Sequence, residues 1–302
     1  MNVGERVASG GGARILDRGY QHYDGPRRGP LWAMRAIVLG TMQRSVGFRR
    51  PTSAKIFPFI LILGCFAPAL IVLGVRLLVG NSAFSRRTVP IDQIVPLYGY
   101  FQLIATLVLV LAALAASEAL CPDRRQRVLP LYYASPLNPA MYLAARVIGV
   151  TLVLGLVTVL PPLLLWLGNT LLADDPWTYL AGHTGQFFAI WGAGAMLALF
   201  DASLGCAVAG YTERKTYAAG ALLGGAIAVT TMTGILRGAV HAHWARYLRL
   251  IAPLQAPVGV ANWFFAHRFE ENIPEVLYLV SCLAIIALAL LALRRAYAAV
   301  RF

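Results

Sequence analysis

Residues 121–137 read "CPDRRQRVLPLYYASPL", with three arginines, one aspartate and three prolines in seventeen positions. Immediately before them lies the apolar run 94–117, "IVPLYGYFQLIATLVLVLAALAAS". Shortly after them lies a second run, 147–168, "VIGVTLVLGLVTVLPPLLLWLG". A bilayer needs roughly 20 consecutive apolar residues for one helical crossing. Both runs meet that length, so the charged stretch reads as a connection between two membrane spans. Four further runs of the same kind follow from the pattern: 56–80, about 185–211, 216–236 and 276–293. The fourth of the six carries one charge, Asp201. The expected fold is therefore all-α, a polytopic membrane protein with six transmembrane helices.

Composition agrees with this. Of 302 residues, 59% are hydrophobic and 13% charged, against about 25% charged in an ordinary soluble domain. The net charge is +13. A basic balance can serve nucleic acid, but here the charge sits in short blocks between apolar runs, which is the pattern of a charged membrane face. No nucleic-acid partner is expected.

Orientation follows from where Lys and Arg fall. An even number of spans puts both termini on one side. That side receives residues 1–55, the block at Arg124, Arg125 and Arg127, then Arg146, Arg214, Lys215, Arg294, Arg295 and Arg301, which is most of the 26 basic residues. The positive-inside rule makes it the cytoplasmic side. Residues 1–55 then form a cytoplasmic tail and a helix lying at the membrane surface over 31–50, ended by Pro51. Residues 56–302 form the transmembrane domain. The tail is too charged for a secretory signal, so the first span is expected to act as the targeting signal in the cell membrane. Membrane lipids are expected partners throughout.

Three outer loops remain: 81–93, 169–184 and 237–275. In the last, Trp244, Tyr247, Leu248 and Ile251 follow helical i, i+3, i+4, i+7 spacing, with Arg246 and Arg249 opposite. Pro253 and Pro257 interrupt it before "VGVANWFF" returns to apolar residues. A re-entrant or interfacial hairpin is expected before the last span.

Several chemistries find no motif. Neither lysine, Lys55 or Lys215, sits in a phosphate-cradling G-x-x-x-x-G-K-[ST] loop. His241 and His243 are two residues apart, whereas a metal pair on a helix needs four. No metal and no catalytic residue is assigned. Asp201 is the one acid well inside an expected span. Such a group is costly in a bilayer and suggests a functional site, or else a structural hydrogen bond, with Arg146 as a candidate partner nearer the surface. Gly220 and Gly224 form a small-xxx-small pair of the kind that lets helices approach.

The connection at 118–141 has two further properties. Its charges cannot enter the bilayer, and Leu129, Leu131, Tyr132 and Tyr133 should not be fully solvated. A short amphipathic element whose apolar side meets another protein satisfies both. This stretch resembles the cytoplasmic loop of ABC-2 type transporter permeases. In that family an acidic residue ends the second span, followed by a basic cluster, a short helix and an "SPL"-like turn. The matching positions here are Glu118, Asp123, Arg124, Arg125, Arg127, Leu129 to Tyr133, and Ser135 to Leu137. Many members carry Gly-Thr-Leu after the basic cluster, where this chain has "VLPLYY". The six-span count, the surface helix and the late hairpin extend the resemblance over most of the chain.

The resemblance implies a permease paired with a second copy, as homodimer or related heterodimer, and with a separate ABC ATPase subunit. ATP and Mg would be bound on that ATPase, with no cofactor in this chain. The nine residues Glu118, Asp123, Arg124, Arg125, Arg127, Leu129, Leu131, Tyr132 and Tyr133 would couple the two subunits, and export of a drug, lipid, polysaccharide or peptide would follow. Two other classes fit the sequence: an ion-gradient carrier using Asp201, which a second charge beside it would favour, and a membrane assembly factor or lipid enzyme without transport.

Overall fold

A computed structural model describes residues 29–47, 52–79, 96–133, 137–173, 175–239, 243–266 and 273–298. Among them every regular element is a helix and no strand occurs. Six helices are long and apolar enough to cross a membrane. In chain order the elements are α1 (Pro30–Val46), α2 (Thr52–Val79), α3 (Leu97–Arg125), the single turn α4 (Leu129–Tyr133), α5 (Pro139–Leu171), α6 (Pro176–Ala209), α7 (Lys215–Ala239), a 3-10 segment (His243–Leu250), α8 (Ala256–Phe264) and α9 (Glu275–Ala298).

The core is a layer of three helices. In α3, 67% of the most apolar window is buried within the chain, against 17% in α7. Helices α5 and α6 match α3 more closely, and α2, α7 and α9 lie outside them. Large apolar side chains such as Phe59, Ile71, Met232 and Leu288 remain exposed on these outer helices. A water-soluble protein rarely leaves so much contiguous apolar surface open; helices surrounded by lipid do. The core helices close on small residues. A methyl group added to Gly205 would lie 2.9 Å from the Ala116 Cβ and 3.2 Å from the Ala112 carbonyl oxygen of α3. One added to Gly149 of α5 would lie 2.7 Å from Thr41 Cβ of α1. Between α5 and α6, the Thr158 hydroxyl donates to the Gly194 carbonyl at 2.8 Å.

Four element ends differ from the sequence expectation, each for a local reason. Helix α1 stops at Val46, ahead of Pro51, because Gly47 adopts the left-handed conformation (φ 88°) and its N–H returns to the Arg44 and Gln43 carbonyls. The stripe Ile37, Thr41 and Ser45 is buried, and α1 packs chiefly on α5.

Helix α3 runs through Arg125, so the first residues of the expected connection are helical. It ends in a Schellman turn: Val128 N–H donates to the Asp123 carbonyl and Arg127 N–H to the Arg124 carbonyl, with Arg127 at φ 51°.

Much of the expected loop 169–184 is helix. Asp175 caps α6 by accepting from the Trp177 and Thr178 backbone N–H groups, and Pro176 occupies the first turn, where its missing donor costs nothing. The helix then breaks at His183 (φ −121°, ψ 17°). Finally, residues 243–250 wind as a 3-10 helix. With three residues per turn, Ala245 and Leu248 share the inward side while Trp244 and Ile251 are exposed. The α-helical face expected there is not formed.

The cap on α6 carries a pH test. The Thr178 hydroxyl donates to Asp175 at 2.6 Å and, with the backbone donors, holds this exposed carboxyl below the usual carboxylate range. A carboxyl with a depressed folded pKa stabilises above its unfolded pKa, and that contribution is lost as pH falls through the folded value. Hydrogen-exchange protection over 176–182, corrected for the intrinsic rate at each pH, should therefore fall below about pH 4. Asp175→Asn should keep a capping oxygen and lose this pH response, and Asp175→Ala should fray the turn already at neutral pH.

Candidate functional site

The residues singled out in the connection are brought together at one end of the bundle, where α3 ends and α5 begins, and they divide into two groups. One group is buried. Asp123 is 2% exposed, on the last turn of α3. It forms an ion pair with Arg146 of α5, also 2% exposed. The Tyr142 hydroxyl donates to the same carboxylate at 2.7 Å, and Arg44 of α1 donates to its other oxygen at 3.2 Å. Arg146 also donates to the Thr41 hydroxyl at 2.8 Å, which in turn donates to the Ile37 carbonyl. One carboxylate thus joins α1, α3 and α5.

Aromatic rings extend the cluster. The Arg146 guanidinium lies 5.2 Å from the Tyr142 ring centroid and 5.7 Å from that of Tyr132. The Tyr132 and Tyr142 rings are 5.2 Å apart. Tyr142 in turn meets Tyr297 near the end of α9 at 6.2 Å, and Arg124 lies over that ring at 5.7 Å. A buried charge is tolerated only where opposite charge and hydrogen bonds replace water; Asp123 and Arg146 supply this to each other.

The second group faces outward. Arg125 and Arg127 are exposed, as is Pro130 between them and α5. Glu118 forms an ion pair with Lys215 at 2.7 Å, which fastens α3 to the start of α7. Leu129 is buried at 3% exposure and Tyr132 is half-buried. The apolar surface of Leu129 is therefore taken up by this chain's own core, and that of Tyr132 in part. The side chains of Leu131 and Tyr133, and residues Ser135 and Pro136, lie outside the described residues.

Asp201 is elsewhere, in the middle of the bundle on α6 and fully enclosed. Arg146 is committed to Asp123, so the expected Asp201–Arg146 partnership does not form. Among the described residues Asp201 has no ion pair, and its Oδ2 is buried without a hydrogen-bond partner. Gly220 and Gly224 lie on α7 with open space where a side chain would be. Within the chain they bring no helices together.

Sequence reading missed Arg44, Thr41 and Tyr142 as members of the cluster. A signal for Tyr142 and Arg146 was present: they lie four apart on the first two turns of α5, facing the acid that ends α3 across a short connection. Arg44 and Thr41 gave none, being about 80 and 105 residues from their partners in the chain. Among the described residues no group of three His, Cys, Asp or Glu is placed to hold a metal. No known family model matches this chain. No curated protein matches it either.

Proposed function

We propose that this chain is the membrane permease subunit of an ATP-driven exporter, with α4 as the element that receives force from a separate ATPase. The supporting observation is the two-sided build of the connection. Its outer side offers Arg125 and Arg127 to an acidic surface. Its inner side seats Leu129 and Tyr132 against the Asp123–Arg146 cluster. A push on α4 would be passed through Tyr132 to Tyr142 and Arg146, and so to α1, α3 and α5 together.

In this reading both termini and α4 are cytoplasmic, α1 lies along the inner membrane surface, and the segment 243–266 is the outer hairpin of a plasma-membrane protein. ATP and Mg belong to the ATPase. The open faces of α2, α7 and α9, including Gly220 and Gly224, are available to lipid and to a second permease copy.

Co-purification with candidate ATPases, followed by ATPase assay in lipid, tests this. Arg125→Glu with Arg127→Glu should weaken association by about tenfold or more, with the defect changing with salt as expected for charges at an interface rim. Tyr132→Ala should leave association nearly intact and uncouple hydrolysis from transport. If the arginine pair variant binds and stimulates the ATPase as wild type does, the connection is a surface linker and the mechanism is wrong.

A further inference from the structure

At the α4 end of the bundle, the turn 210–214 that joins α6 to α7 is fixed against two other helices. The Cys121 thiol of α3 lies 3.7 Å from the Thr212 hydroxyl, and the Tyr211 hydroxyl donates to the Ala292 carbonyl of α9 at 3.0 Å. A methyl group added to Gly210 would lie 2.7 Å from Leu293 Cδ1 of α9. The turn is therefore a platform held between α3 and α9.

A groove leads away from this platform. Helices α7 and α9 each pack on α6. Leu204 of α6 packs against Leu222 and Ala226 of α7 on one side and against the α9 cluster around Cys282 on the other, and it stays partly exposed between them. On α9, Leu288, Leu291, Ala292 and Arg295 follow i, i+3, i+4, i+7 spacing and so share one face. Tyr211 touches Ala292, which turns that face towards the platform. Leu288 and Leu291 are exposed, as is Arg295 one turn beyond them. From the platform side comes Arg214, also exposed, with its guanidinium 5.7 Å from the Tyr217 ring centroid. Neither Arg214 nor Arg295 forms an ion pair among the described residues, whereas the neighbouring Lys215 is taken by Glu118. Glu213 is the one acid in the turn. An apolar stripe that ends in two cations narrows the occupant. An acidic soluble protein would answer the arginines and leave the leucines open, and a neutral lipid would do the reverse. A phosphate on an acyl chain answers both, at the level where the apolar part of α9 gives way to charge.

We propose that the groove between α7 and α9 holds one anionic phospholipid. Its phosphate sits between Arg214 and Arg295, and an acyl chain runs along Leu288 and Leu291 over Leu204. The site rests on the membrane-spanning build of the chain and does not depend on the exporter reading.

The test is native mass spectrometry of the delipidated chain, without any ATPase, titrated with short-chain phosphatidylglycerol, short-chain phosphatidylcholine and glycerol 3-phosphate. The first phosphatidylglycerol should bind about tenfold more tightly than phosphatidylcholine, whose choline cation would face two arginines. Arg214→Gln with Arg295→Gln should remove most of that preference, and both side chains are at the surface, where the change leaves the core untouched. Glu213→Gln should strengthen phosphatidylglycerol binding by removing the acid beside Arg214. Arg294 is the control. It is exposed on the opposite flank of α9 from Ala292 and Tyr211, so Arg294→Gln should leave the preference nearly unchanged. If Arg294→Gln lowers the preference as much as Arg295→Gln does alone, the effect is diffuse surface charge and the proposal falls. Equal binding of the two lipids would overturn it, as would glycerol 3-phosphate binding as tightly as phosphatidylglycerol, since the apolar stripe would then contribute nothing. A dimer that carries no bound lipid would give the groove to a second copy of the chain and overturn it too.

Discussion

Asp123→Ala is expected to destabilise the protein by about 3–5 kcal/mol, the usual cost of leaving one partner of a buried ion pair without its counter-charge. The loss falls on Arg146, which keeps its enclosure and loses the carboxylate. Tyr142 and Arg44 lose an acceptor at the same time. Asp123→Asn should cost less, since an amide oxygen still accepts from Tyr142. The informative variant is the double change Asp123→Leu with Arg146→Met. Buried pairs replaced together by apolar residues of similar volume are often neutral or better, so the double variant should recover most of the stability lost in Asp123→Ala. Thermal unfolding of the purified chain in one detergent reads all three against the wild type. An Asp123→Ala protein melting with the wild type would mean that this cluster does not hold α1, α3 and α5 together.

Gly205→Ala is the second large effect, and its sign opposes helix propensity. Alanine favours a helix interior over glycine by about 0.5–1 kcal/mol. At Gly205 the new methyl would lie 2.9 Å from the Ala116 Cβ and 3.2 Å from the Ala112 backbone oxygen. Neither atom is the end of a flexible side chain, so α3 and α6 must part. Overpacking of this kind costs about 1–3 kcal/mol and sometimes more. Gly224→Ala supplies the opposite case, because nothing lies within 4 Å of its added methyl. The single chain should tolerate it or gain slightly. If both variants melt alike, the close approach of α3 to α6 is not under strain from a methyl group.

These two cases mark what the sequence could and could not reveal. The six long helices were legible because the length of an apolar run is a direct count, independent of what packs where. Their ends were less so. The helical turns from 176 to 182 were hidden because Asp175 and Thr178 look like loop residues until the carboxylate is seen taking the backbone donors of its own helix. Asp123 sits in a block of arginines and reads as solvated; only the arrival of Arg146, 23 residues later, makes it a core residue. Glycines show the same limit. Gly220 and Gly224 have the spacing of a helix contact and make none among the described residues, while Gly149 and Gly205, which the sequence reading passed over, sit against Thr41 of α1 and against Ala112 and Ala116 of α3. A spacing rule describes one helix and holds no information about its partner.

The hydrogen bonds of α1 impose an order on biogenesis. Its Thr41 and Arg44 bind Arg146 and Asp123, which lie 105 and 79 residues further along. A ribosome must therefore finish α3 and α5 before α1 can make these bonds. Until then Thr41 and Arg44 lack these partners, and the Asp123–Arg146 pair closes only when both α3 and α5 are in place. A helix made before α3 and α5 thus completes its packing after them, so errors in their insertion will appear as an undocked α1 open to proteolysis.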